Sequence, residues 1–176
     1  MTRHEIEETV FTVEEIRQRV GELAGEINRD YEGTDLLLIG ILKGAFIFLA
    51  DLARRLTVPV RFDFIACSSY GSSTRTSGVV RILKDLDSDI SGKHVLLVED
   101  IVDTGLTLSY LVKNLEARGP DSLHICTLLN KSSPERKADL PIRYQGFSIP
   151  DDFVIGYGLD CAEEYRNLPY IAKIRR

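Results

Sequence analysis

The chain has 176 residues, enough for one domain with a sizeable core, and its 44% hydrophobic and 28% charged residues are ordinary for a globular protein in water. A net charge of −5 argues against a general nucleic-acid binder, a role that wants a basic surface. No apolar run approaches the roughly 20 residues of a membrane span, and the opening M-T-R-H-E-I-E-E lacks the apolar core of a signal peptide, so a cytoplasmic protein without membrane contact is expected.

Taken in order, Thr12 and Glu15 have the spacing of a capping box, and Ile16, Val20, Leu23 and Ile27 recur at helical spacing, which predicts a helix from about 13 to 29. Leu36 to Leu42 is a short apolar run bounded by Gly33-Thr34 and Lys43-Gly44, which suits a strand buried on both faces. A-F-I-F-L-A-D-L-A-R-R-L reads as a helix stopped near Pro59, and Val60 to Cys67 as a strand rich in Phe, Ile and Val. The Ser-, Thr- and Gly-rich segment 68–78 cannot pack a core, and on composition alone it is either a long surface hairpin or a lid. Val79 to Leu83 returns as a strand.

Val95 to Val98 then runs, as a buried strand, directly into Glu99 and Asp100; a helix of residues 105–118 follows and ends at Gly119-Pro120. Leu123 to Leu129 is a further strand, with Lys131 where it gives way to a loop. Residues 135–152 look irregular, F-V-I-G-Y-G is a short strand, and Tyr170 to Ile174 can form the last. Strands alternating with helices predict an α/β fold with a mostly parallel central sheet flanked by helices. Cys67, Cys126 and Cys161 are widely spaced without C-x-x-C, so they are expected to be reduced structural thiols. His4, His94 and His124 lie beside no evident nucleophile.

The chemistry concentrates in V-L-L-V-E-D-I-V-D-T-G-L-T-L, residues 95–108. Strand ends in a parallel sheet face the ligand crevice, and a helix starting at Thr104 or Gly105 would aim free N–H groups there, an arrangement that suits a phosphate. Acids beside a phosphate are costly unless they hold hydroxyls, a metal or a proton. The chain has no G-x-x-x-x-G-K-[ST], Gly156-Tyr157-Gly158 lacks the third glycine of a dinucleotide fingerprint, and there is no G-x-S-x-G elbow.

The 95–108 stretch resembles the phosphoribosyl-pyrophosphate motif of the type I phosphoribosyltransferase family, in the E-D-I-V-D-T-G form of its hypoxanthine-guanine members. I-L-K-G-A-F-I-F-L-A-D-L resembles the family's pyrophosphate loop and following helix, and S-S-Y-G-S-S-T its flexible catalytic loop. L-L-N-K-S-S-P-E-R and P-D-D-F-V-I-G-Y-G-L-D-C-A-E-E-Y-R-N-L-P resemble its two purine-side segments. These blocks keep the family's order over residues 36–174.

The resemblance implies the type I phosphoribosyltransferase fold in a single 1–176 domain, with a small hood from the N-terminal segment and about 135–176. It implies purine salvage: Mg2+-dependent transfer of ribose 5-phosphate from phosphoribosyl pyrophosphate to N9 of hypoxanthine or guanine. Backbone amides and hydroxyls of Thr104, Gly105, Leu106 and Thr107 would hold the 5-phosphate, and Glu99 and Asp100 the ribose hydroxyls, directly or through magnesium. Asp103 would exchange the N7 proton, Lys131 donate to the 6-oxo group, Phe153 stack on the base and Val154 offer backbone contacts. Asp160 would hold a second magnesium, Lys43, Gly44 and Arg166 the pyrophosphate, and Ser69 and Tyr70 would close over the reaction. The Leu42-Lys43 bond is expected to be cis. Leu106 is apolar where relatives often carry a polar residue, and C-A-E-E departs from the usual sequence after the metal aspartate. A homodimer or homotetramer is implied. The competing readings are a phosphoribosyl-pyrophosphate-sensing nucleic-acid-binding regulator of the same fold and a transferase for another nucleobase.

Overall fold

The structure is a computed structural model that describes residues 5–69, 80–132 and 140–175. Helix α1 (Val13–Asp30) begins at a complete capping box: Glu15 N donates to the Thr12 hydroxyl, and Thr12 N donates to the Glu15 carboxylate at 2.8 Å. Its buried stripe of Ile16, Val20, Leu23 and Ile27 is the one that the spacing predicts. Strand β2 (Leu36–Leu42), buried along six of its seven residues, leads to α2 (Phe46–Ala53), β3 (Val60–Ser69) and β4 (Val80–Lys84). Then come β5 (His94–Val102), α3 (Leu106–Glu116), β6 (Ser122–Lys131) and β7 (Ile142–Ile149). Before these, near the N-terminus, lies β1 (Ile6–Phe11), and at the far end β8 (Val154–Ile155) and β9 (Ile171–Ile174).

The main sheet has the order β4-β3-β2-β5-β6-β7, parallel throughout except for the antiparallel edge strand β4. Strand alternation divides its core. Leu36, Leu38, Leu96 and Val98 pack with α1 and α2, while Leu37, Ile39, Val95 and Leu97 pack with Leu108, Leu111 and Leu115 of α3. The same alternation carried one step further sends the adjacent acids Glu99 and Asp100 to opposite faces. Burying both faces of a parallel sheet under helices is what calls for the unbroken apolar runs of β2 and β5.

A second, antiparallel sheet of order β1-β9-β8 joins the two chain ends. Two strands depart from the sequence reading. Residues 142–149, expected to be irregular, pair in parallel with β6, and the charged segment 6–11, given no element, pairs with β9. Asp63 is the buried acid of the frame: it accepts from Phe64 N at 2.8 Å, Asp87 N at 3.0 Å and both the amide and hydroxyl of Ser88 at 3.2 Å. It thereby fastens the 85–90 turn that feeds β5.

Candidate active site

The parallel register brings the carboxyl ends of β2, β5 and β6 to one edge, with residues 42–45, 99–107 and 131 converging there. After β5 the chain turns through Gly105, the N-cap of α3, at φ +76°, a left-handed conformation that glycine adopts without strain. The turn and first helical residues line a cavity of about 210 Å³ with Glu99, Asp103, Thr104, Gly105, Leu106 and Thr107. Leu106 is the first residue of α3, so the N-terminal end of an 11-residue helix opens onto this cavity, with Leu106 N donating to the Thr104 hydroxyl at a long 3.5 Å.

Glu99 Oε2 is buried without a hydrogen-bond partner among the described residues. Burial pushes its carboxyl well above the usual range, and neighbouring Asp100 adds to the rise. Asp100 is pushed up to about 6 by burial, against a 2.9 Å hydrogen bond from Ile101 N to Oδ1. On the other face of the strand, Asp100 Oδ2 occupies the space over Gly44: a Cβ there would sit 1.7 Å from it. Gly158 lies close on the 42–45 turn as well, since a Cβ on it would meet the Gly44 carbonyl oxygen at 2.1 Å. The Leu42-Lys43 peptide is cis, as expected.

Lys43 and Arg166 meet through an acid that the sequence reading did not single out. Lys43 Nζ lies 2.9 Å from Glu163 Oε2, and Arg166 lies 3.5 Å from Glu163 Oε1 and 2.8 Å from Asp160 Oδ1. Arg166 also donates to the Gly158 carbonyl at 2.8 Å. Glu163 N donates to Asp160 Oδ2 at 2.9 Å, so residues 158–166 curl into one knot, with Ala162, Glu163 and Tyr165 all at positive φ. Lys43 beside it holds the exposed Glu163 carboxyl below its ordinary value.

The third group lies past the α3 cradle. Lys131, the last residue of β6, places Nζ 3.2 Å from Asp103 Oδ2 and 3.1 Å from Asp151 Oδ1, with its side chain only 11% exposed. Together with Asp152, Phe153 and Lys173 these residues border an open cavity of about 640 Å³. Val154 is buried in β8, and half-buried Phe153 packs against the small sheet's core. Asp151 has no sequence signature beyond standing in the P-D-D-F turn. Ser69 ends β3, but its side chain and Tyr70 lie outside the described residues.

Among the described residues no group of three or more His, Cys, Asp or Glu converges as a metal cage; Glu99 with Asp100 and Asp160 are separate oxygen donors. The cysteines are all free thiols, and Cys126 is wholly buried. His94 and His124 sit at the start of β5 and β6, at the opposite end of the sheet from this site.

A helix N-terminus and buried acids gathered at the ends of parallel strands define an α/β protein that handles a phosphorylated sugar or nucleotide. A family profile for the phosphoribosyl transferase domain matches residues 8–162. The hypoxanthine-guanine phosphoribosyltransferase of Mycobacterium bovis is 54% identical over 176 residues, which cover 97% of this chain and 87% of that one. The hypoxanthine phosphoribosyltransferase of Escherichia coli is 50% identical over 169 residues, 95% of this chain and 94% of that one. A crystal structure of a hypoxanthine-guanine phosphoribosyltransferase from Bacillus anthracis superposes with a TM-score of 0.91 at 48% identity, over 99% of this chain and all of that one. The chain belongs to the phosphoribosyltransferase family.

Proposed function

We propose that the chain transfers the 5-phosphoribosyl group of phosphoribosyl pyrophosphate to N9 of hypoxanthine or guanine, giving IMP or GMP and pyrophosphate. The observation that carries this reading is Lys131 held beside Asp103 at the mouth of the α3 phosphate cradle. An ammonium donor and a carboxylate base, set next to a ribose phosphate, match the O6 and N7 edge of a 6-oxopurine. The names of the relatives support the same substrates.

In this reading the bond from the anomeric carbon to pyrophosphate breaks as N9 bonds to that carbon, through an oxocarbenium-like transition state. Asp103 accepts the N7 proton as N9 becomes bonded, a step worth roughly 10² to 10⁴ in rate for a well-placed base. Amides of Thr104 to Thr107 hold the 5-phosphate. Lys43 and Arg166 take up the charge of leaving pyrophosphate, and Phe153 and the backbone of Val154 hold the base.

Magnesium fits the donor set. Glu99 Oε2 is buried and has no partner among the described residues, and Asp100 and Asp160 offer further hard oxygen ligands, which is the chemistry Mg2+ takes when substrate phosphates complete its shell. Bound there, the ion would neutralise phosphate charge and the buried acids together. The β1-β9-β8 sheet reads as a hood over the purine side. We also infer a homodimer or homotetramer, for which exposed Phe46 offers apolar surface, and a cytoplasmic location; among the described residues no helix is long and apolar enough to cross a membrane.

A regulator of the same fold would need the ribose-phosphate cradle but not the Asp103–Lys131 pair, and the net charge of −5 gives nucleic acid little to bind. Steady-state assays with purified protein and phosphoribosyl pyrophosphate decide the matter. Nucleotide formation from hypoxanthine supports transfer, and its absence with all bases removes it.

A further inference from the structure

Asp151, we infer, is a positioning residue for the purine end: it shares the Lys131 ammonium with Asp103 Oδ2, so that one N–H remains for the 6-oxo group and Asp103 Oδ1 for the N7 proton. The inference rests on the proposed 6-oxopurine transfer. Lys131 Nζ has three donors and is shared at near-equal distances, 3.2 Å to Asp103 Oδ2 and 3.1 Å to Asp151 Oδ1. The two acids come from different elements. Asp103 follows β5, whereas Asp151 stands in the turn between β7 and β8, so Lys131 is a crossbar between the main sheet and the turn that delivers Phe153.

That turn is tied on both sides. Asp152 N donates to the Pro150 carbonyl at 2.8 Å, and the Asp152 carboxylate lies 2.7 Å from Lys173 Nζ on β9. The two neighbouring acids therefore divide: Asp152 anchors the turn to the small sheet, and Asp151 reaches to Lys131. A lysine side chain is a flexible stem carrying a compact charge, and with a single counter-ion it would collapse onto that partner. Facing Asp103 alone, the ammonium would spend its donors on the carboxylate that must take a proton. The Lys131 side chain is only 11% exposed, whereas the two carboxylates it joins are about half exposed. A second carboxylate, from a different element, fixes where the ammonium points.

The test is a double-mutant cycle read by calorimetric binding of IMP, beside hypoxanthine turnover by the unaltered protein. Asp151→Asn is expected to weaken IMP binding roughly tenfold and raise KM for hypoxanthine, with KM for phosphoribosyl pyrophosphate changed less than about twofold. Asp151→Glu should recover most of the loss. In a Lys131→Met background, Asp151→Asn should change IMP binding by less than about twofold, because its effect runs through the lysine. An equal loss in that background, or an Asp151→Asn protein that binds IMP as the unaltered chain does, would overturn the positioning role and leave the transfer reading intact. An unaltered chain that neither binds IMP nor consumes hypoxanthine would overturn the transfer reading itself.

Discussion

Asp100 fills the space that a side chain on Gly44 would need: a Cβ there would lie 1.7 Å from Asp100 Oδ2 and 2.5 Å from its Cγ. A residue at the end of β5 is thus seated against the turn after β2, and Gly158 presses on the same turn at the Gly44 carbonyl oxygen. Gly44→Ala must displace either the Asp100 carboxylate or the turn, at the junction of the proposed ribose and pyrophosphate sites. The expected result is a folded protein whose kcat/KM for phosphoribosyl pyrophosphate falls roughly 100-fold, the scale on which misplacements of about 1 Å act. Circular dichroism and steady-state kinetics on the same preparation check both halves.

Asp63 predicts the acid limb of stability. Burial alone would raise its pKa, but hydrogen bonds from Phe64 N, Ser88 N, Asp87 N and the Ser88 hydroxyl outweigh it, and the folded-state value lies below the ordinary 3.8. A group whose pKa is depressed by folding contributes stability that is fully present above its unfolded value and is lost as pH falls through the folded one. Asp63→Asn should therefore lower stability by roughly 1–3 kcal/mol near pH 7, with the gap from the unaltered chain narrowing below about pH 4. Urea unfolding at pH 7 and pH 3.5 measures it; a gap that widens in acid would contradict the assignment.

The strands and helices that a reader could locate were those whose burial is written in one period. The α1 stripe from Ile16 to Ile27 and the unbroken runs of β2 and β5 each follow from a single rule. Strand β7 was hidden because the alternation of I-R-Y-Q shifts phase at Gly146 before F-S-I: Gly146 sits under Leu128, where a Cβ would meet its carbonyl oxygen at 2.3 Å, and Arg19 of α1 caps the Gln145 and Gly146 carbonyls at 2.7 and 3.0 Å. Strand β1 was hidden because its first four residues are exposed and it exists through pairing with β9, about 160 residues away in sequence. In the site, Glu99, Asp100 and Asp103 were legible from the motif. Asp151 and Glu163 were not, since an acid's partner is set by tertiary contacts, and Lys131 and Lys43 come from distant segments.

In the proposed transfer Asp103 is the base that faces N7, and Asp103→Asn removes it while keeping the size of the side chain. The forward rate with hypoxanthine or guanine should drop by roughly 10² to 10⁴, with a smaller change in KM for phosphoribosyl pyrophosphate. Pre-steady-state formation of the nucleotide reads this without interference from product release. An unchanged rate would remove proton transfer from Asp103.

If Lys43 and Arg166 take up pyrophosphate as proposed, Glu163 should compete with it for them, because its carboxylate lies 2.9 Å from one and 3.5 Å from the other. Both it and Lys43 are about two-thirds exposed, so the pair is a weak one. Glu163→Gln should leave the melting temperature unchanged and tighten product inhibition by pyrophosphate by roughly two- to fivefold, with the difference shrinking at high salt. Weaker inhibition in the variant would mean that Glu163 helps to build the site rather than compete for it.

The measurement that bears most directly on the whole account is a steady-state comparison of hypoxanthine, guanine, xanthine and adenine with phosphoribosyl pyrophosphate, each with magnesium and with the ion removed by a chelator. Lys131 as a donor to O6, beside Asp103 at N7, predicts turnover of hypoxanthine or guanine, no appreciable turnover of adenine, and loss of activity on chelation that added magnesium restores. Adenine used as well as hypoxanthine, or rates indifferent to the chelator, would contradict it.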